Sequence, residues 1–254
     1  MLSTDFNAKV VKNQIVSWIR SWFDHNGKNC NAVIGISGGK DSTVAAALCV
    51  EALGKERVIG VMMPQGKQAD IADSQEVCKH LDISNYTINI EKMFMNLKEA
   101  LKENNIIMTN QATINAPPRI RMTVLYAVSQ TMNGRVVNTC NLSEDYVGYS
   151  TKYGDTAGDF APLKSLTSEE VIEIGRALNL PEHLLTKAPS DGLCGKTDED
   201  NLGFTYEVLN KYIRTGVIED ESIKKRIDRL HIINEHKERM IPKFLYYPVE
   251  KFEW

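Results

Sequence analysis

The sequence predicts an α/β fold, a doubly wound parallel sheet with helices on both faces and helical additions toward the C-terminus. Three observations carry this. Short apolar runs bounded by turn residues alternate with stretches of helical periodicity through residue 139. The stretch VIGISGGKDST, residues 33–43, joins one such run to a helix through a glycine turn. Beyond residue 142 the strand signals give way to a Gly-, Asp-, Thr- and Tyr-rich loop and then to helices. Neither an internal repeat nor a low-complexity tract interrupts the 254 residues, so residues 1–254 are expected to form one domain.

The elements follow in order. Residues 5–24 carry apolar side chains at helical spacing (Val10, Val11, Ile15, Trp18, Ile19, Trp22, Phe23) with Gly27 as a stop. The two tryptophans give that helix a large apolar face, suited to a core or a subunit contact. Residues 32–36 read as a buried strand, 43–53 as a helix ended by Gly54, and 57–63 as a second strand stopped by Pro64. A helix at 71–81, a strand at 86–90 and a helix at 93–102 come next. Pro117 and Pro118 precede a helix at 119–132, and RVVNT, residues 135–139, is a fourth strand. Residues 142–162 read as a long functional loop. A helix at 168–178 has Thr167 as its cap, 187–201 is polar and Gly-rich, and helices at 206–212 and 222–238 close the chain before an aromatic tail.

Composition excludes several classes. With Lys+Arg 30 against Asp+Glu 33, the chain lacks the basic balance of a protein built to coat nucleic acid. No apolar run approaches the ~18 residues of a membrane span, and the N-terminus lacks a basic-then-apolar signal pattern. Cys30, Cys49, Cys78, Cys140 and Cys194 form no C-x-x-C pair, which favours free thiols in a reducing cytoplasm.

The glycine turn is not a Walker loop, because Gly39-Lys40 is followed by Asp41 and the spacing back to Gly35 is one residue short. It is not a dinucleotide fingerprint either, since Gly35, Gly38 and Gly39 have the wrong intervals. An aspartate among phosphates repels them unless a divalent cation lies between, so Asp41 reads as a Mg²⁺ ligand, although it also suits a helix N-cap. Ser37 to Ser42, S-G-G-x-D-S after a strand, resembles the pyrophosphate loop of the ATP pyrophosphatases, which cleave ATP between its α and β phosphates.

Further motifs narrow the resemblance. They are Asn115 with Pro118-Arg119-Ile120-Arg121-Met122, Thr139 to Glu144, Thr151-Lys152-Tyr153-Gly154-Asp155, Gly158 to Leu163, and Asn234-Glu235-His236-Lys237. In this order they resemble the ammonia-dependent NAD synthetases over roughly residues 18–242. The resemblance implies a two-step reaction. ATP adenylates the carboxylate of nicotinic acid adenine dinucleotide (deamido-NAD) with release of PPi, and ammonia then displaces AMP to give NAD. By position, Asp41 and Glu144 match the family's Mg²⁺ ligands. Gly35, Ile36, Ser37, Gly38, Gly39, Lys40, Asp41, Ser42 and Thr139 match the ATP contacts, Lys40 loosely. Arg119, Lys152, Asp159, His236 and Lys237 match positions that hold the dinucleotide, with Lys152 also grouped with Asp41 and Glu144 as catalytic. Ser190 falls where the family often has a threonine near ATP. Ser168 stands where many relatives have a lysine aimed at ATP, and Lys164, Lys187 and Lys196 are the local lysines that could replace it. The family also implies a homodimer.

Bland alternatives accompany these assignments. Glu144 also suits the start of a short helix, Arg119 and Arg121 a solvated helix face, and Asp155 and Asp159 plain turns. Competing functions are a tRNA thiolase, a GMP-synthetase-like amidator, and a non-catalytic adenine-nucleotide sensor. The unpaired cysteines and acidic balance speak against the first. No room for a glutaminase precedes Ser37, and a sensor would not need Glu144, Lys152 and His236 together.

Overall fold

The computed structural model describes residues 6–68, 71–187 and 198–246. Helix α1, Ala8–Asn26, begins where the Asn7 side chain accepts the Val10 N–H at 3.2 Å and ends where Gly27 N–H reaches Phe23 O. Removing that cap in Asn7→Ala is expected to cost about 1 kcal/mol, read as a lowered urea midpoint with an unchanged m value. Strand β1, Asn31–Gly35, leads into helix α2, Lys40–Leu53, and strand β2, Val58–Met62, into helix α3, Ile71–His80. Strand β3, Ser84–Thr87, precedes helix α4, Glu91–Glu103, and helix α5, Asn110–Thr131, precedes strand β4, Gly134–Val136. The sheet order is β3-β2-β1-β4, all parallel, with Val33 opposite both Ile59 and Val136.

The strand period of two sorts the core. Ala32 and Ile34 face α1, α2 and later helices, with Ile19, Phe23, Val44 and Leu48. Val33, Ile59, Val61 and Val136 face Met122, Val124 and Leu125 of α5. Helices therefore cover both faces, and the doubly wound expectation holds.

Several boundaries differ from the sequence reading. Helix α5 starts at Asn110, capped by Thr109, and runs through Pro117 and Pro118. Pro117 is buried with Ala116, so packing holds a helix that proline chemistry alone would have started later. Strand β3 lies two residues ahead of its expected place and is exposed throughout, because Ile88 and Ile90 turn down into the core after the strand ends. The expected loop 142–162 opens instead with helix α6, Leu142–Val147. Helix α2 begins at Lys40 with Gly39 as N-cap, which puts Asp41 in the first turn rather than at the cap.

Beyond the sheet come α7, Ser168–Ala177, and α8, Glu182–Thr186, then α9, Asp198–Leu202, α10, Tyr206–Thr215, and α11, Glu221–Asn234. Thr167 and Glu170 form the expected capping box on α7. Val147, Leu202, Phe204, Leu209 and Ile227 make a second small core under α6 and α9 to α11. The tryptophan face of α1 is divided: Trp22 stacks on Phe160 with ring centres 4.7 Å apart, while Trp18 stays exposed. No helix among the described residues is long and apolar enough to cross a membrane.

Candidate active site

The glycine turn forms at the carboxyl end of β1, one of the two inner strands, at the sheet edge where ligands meet doubly wound folds. Gly35 ends the strand and buried Ile36 continues it by donating its N–H to Val61 O at 3.0 Å. Ser37 and Ser42 face each other, Oγ to Oγ 3.1 Å, and Gly39 N–H donates to Ser37 Oγ at 3.2 Å. Because Gly39 has no side chain to cap α2, the helix start presents backbone N–H groups and a positive dipole end to an anion. Gly38 takes φ +81, and a Cβ there would lie 2.9 Å from Asp73 Cβ and 3.0 Å from Ser74 N. Helix α3 thus backs the loop so closely that only glycine fits.

A second strand end supplies the carboxylates. After β4, Val137 pairs with Phe160, half-buried Thr139 follows, and Asn141 caps α6 by accepting the N–H groups of Ser143 and Glu144 at 3.0 and 3.1 Å. The amide of the same Asn141 donates to Asp41 Oδ1 at 3.0 Å. One side chain therefore ties the glycine turn's helix to the helix that carries Glu144. Burial, and then the charge of Asp41, pushes the Glu144 carboxyl up to about 8. Lys40 answers that charge. Burial alone would lower its pKa, but Asp41, 2.7 Å from its Nζ, and Glu144 hold it above the ordinary value. Asp198 adds to the same field, and burial with these carboxylates pushes up the Tyr206 hydroxyl, which lies 3.4 Å from Asp198 Oδ2.

Among the described residues no group of three or more His, Cys, Asp or Glu side chains forms a metal cage. The donor set still suits a hard divalent cation. It offers oxygen only, in two carboxylates whose mutual repulsion such a cation would relieve, and it leaves positions for water and phosphate.

The other predicted residues line a neighbouring turn. Thr151 N–H donates to both carboxylate oxygens of Asp155 at 3.1 Å, and Tyr153 takes φ +62, which closes Lys152-Tyr153-Gly154 into a compact turn. Arg119 Nε donates to Lys152 O at 3.2 Å. Asp159 Oδ2 accepts Val136 N–H at 2.7 Å, so its carboxylate is tied to the end of β4, while its Oδ1 lies 3.4 Å from the Tyr126 hydroxyl. Lys152 Nζ donates to His236 O at 2.7 Å, and Lys237 Nζ donates to Gly148 O at 2.6 Å and Ser150 O at 3.0 Å. These lysines stitch the turn at Glu235–Lys237 onto the segment behind α6. A cavity of about 570 Å³ beside them is lined by Arg119, Met122, Thr123, Tyr126, Tyr153 and neighbours. No residue of the glycine turn lines it.

The lysine question is narrowed. Lys164 is held by Asp145 at 3.4 Å and by Glu238. Lys187 reaches Asp73, the residue behind Gly38, at 2.5 Å. Ser168 is buried and hydrogen-bonded to Asn210 and Ser143. Ser190 and Lys196 lie outside the described residues.

The family model for NAD synthase matches residues 11–246. The chain belongs to the NAD synthase family. It is 38% identical over 214 residues to the NH(3)-dependent NAD(+) synthetase of Mesoplasma florum, covering 83% of this chain and 87% of that protein. Among solved structures it is similar to the NMN synthetase of Francisella tularensis, with TM-score 0.88 and 33% identity over 95% of this chain and all of that one. It is also similar to the NH3-dependent NAD synthetase of Campylobacter jejuni, with TM-score 0.76 and 29% identity over 95% of this chain and all of that one. For a NAD synthase family member, sequence reasoning passed over Asn141 as a link between Asp41 and Glu144. Its signal was present, since asparagine immediately before a short acidic helix is a capping pattern.

Proposed function

We propose that this chain amidates nicotinic acid adenine dinucleotide with ammonia at the expense of ATP, giving NAD, AMP and PPi. The observation that carries the proposal is Asn141, which joins Asp41 on an ATP-pyrophosphatase loop to Glu144 on α6, in a chain of this family. A carboxylate is a poor electrophile, so one of its oxygens first attacks the α-phosphorus of ATP and the bond to the β-phosphate oxygen breaks. Ammonia then adds to the acyl carbon, loses a proton and expels AMP. Asp41 and Glu144 would hold Mg²⁺, which when bound neutralises charge on the phosphates. The serine–glycine loop and the start of α2 receive the pyrophosphate, and Thr139 and Ser190 belong to the nucleotide side by family position. Arg119, Lys152, Asp159, His236 and Lys237 belong to the substrate side. For Asp159 and Lys237 the role is to shape the site, because their charged groups are already engaged by backbone. Arg119→Ala is expected to raise KM for the dinucleotide about tenfold with little change in KM for ATP, measured by NAD formation.

A homodimer goes with this proposal. Met93 and Leu97, four residues apart on α4, are exposed on one helix face, and burying such apolar side chains favours a second copy. Four described cysteines are free and buried, in keeping with a reducing cytoplasm.

A second substrate is favoured by one observation, the TM-score of 0.88 to an NMN synthetase against 0.76 to a NAD synthetase. The same chemistry on nicotinic acid mononucleotide would give NMN. Purified protein with ATP, Mg²⁺ and ammonium, offered each acid in turn, separates the two by product. NAD formed at the higher kcat/KM is the expected result. A preference for the mononucleotide overturns the dinucleotide assignment, and AMP with neither amide overturns the amidation itself.

A further inference from the structure

Behind the carboxylate edge lies a polar interior that the chemistry above does not use. The Ser143 hydroxyl donates to Asn210 Oδ1 at 2.5 Å, the Asn210 amide donates to Ser168 Oγ at 3.1 Å, and the Ser168 backbone N–H donates to Ser143 Oγ at 3.0 Å. The ring closes across α6, α10 and α7, and its members are 0%, 1% and 4% exposed for Ser143, Asn210 and Ser168. Buried polar groups give directional restraint when every end finds a partner, and both ends of Asn210 do. Ser143 immediately precedes Glu144, and Asn141 caps the N–H groups of both. Rolling α6 about its axis therefore breaks the ring as it turns the Glu144 carboxylate. Val147, Leu209 and Ile227 beneath the same helices supply adhesion without direction.

We propose that Asn210 is a positioning residue for Glu144: the ring it closes sets the roll of α6, and with it the direction from which the carboxylate meets a divalent cation. The inference rests on the metal role proposed above for Glu144. Outer partners of metal ligands commonly matter by ~10–100-fold in affinity, and Asn210 acts through Ser143 in that way.

The test uses the whole chain as Asn210→Leu and Ser143→Ala, with Glu144→Gln as reference. Mn²⁺ binding is followed by electron paramagnetic resonance titration in the presence of α,β-methylene-ATP, and PPi release is followed against Mg²⁺. Asn210→Leu is expected to weaken Mn²⁺ binding about tenfold and to raise half-saturating Mg²⁺ in parallel, with KM for ATP at saturating Mg²⁺ unchanged. Ser143→Ala removes two of the ring's three bonds with little change in volume and is expected to act in the same direction. It decides the matter if Asn210→Leu does not fold. Folded Ser143→Ala with native Mn²⁺ affinity overturns the positioning role while Glu144→Gln remains defective. Native Mn²⁺ affinity in Glu144→Gln instead overturns the metal role of Glu144 itself.

Discussion

Asp41→Asn and Glu144→Gln are each expected to lower the rate of Mg²⁺-dependent PPi release by about 10²–10³-fold while leaving the urea midpoint close to native. The two carboxylates sit on different elements, α2 and α6, joined by Asn141. Both substitutions keep side-chain size, so packing is preserved and the change is one of charge. Asp41→Asn removes the partner of Lys40 and leaves that ammonium facing Glu144. Glu144→Gln removes the carboxyl that burial and Asp41 push up to about 8, and so relieves a repulsion. Stability should therefore hold or rise slightly in the second variant as activity falls. A loss of activity accompanied by loss of fold would contradict this separation.

Glu170→Ala is expected to be the most destabilising of the substitutions considered, at about 2–3 kcal/mol in urea unfolding with m unchanged. The carboxylate is buried and receives three kinds of donor. Arg214 Nε reaches it at 2.8 Å with a second guanidinium contact, and Thr167 N–H reaches it at 2.8 Å to complete the capping box. Truncation strands a guanidinium that can still reach water at its partly exposed side, which keeps the cost below that of a fully buried pair. Glu170→Gln keeps the cap and loses the charge, so it should fall between Ala and native.

Local pattern made the central sheet legible. The apolar run ending in Gly35 and the glycine turn are short-range features, and they appear where periodicity places them. Helix α5 was misread because Pro117 and Pro118 carry a strong local start signal that buried packing overrides. Strand β3 lies off its expected place because Ile88 and Ile90, the most strand-like residues there, pack half-buried and buried after the ladder ends. The site was legible as types of residue on strand ends, but its wiring was not. The Asn141–Asp41 bond spans one hundred residues, and nothing in either neighbourhood names the other. Likewise, nothing around Lys237 in the sequence names the carbonyls of Gly148 and Ser150 that its ammonium meets.

That last contact has a consequence for synthesis. A ribosome delivers the phosphate loop, both carboxylates and the Lys152 turn long before it delivers residues 236 and 237. Until they emerge, Lys152 lacks the His236 carbonyl, and the carbonyls of Gly148 and Ser150 lack the Lys237 ammonium. A nascent chain stopped short of this point has the glycine turn and both carboxylates without the fastening of the Lys152 turn. Emergence of residues 236 and 237, rather than assembly of the sheet, is the step at which that turn is fastened.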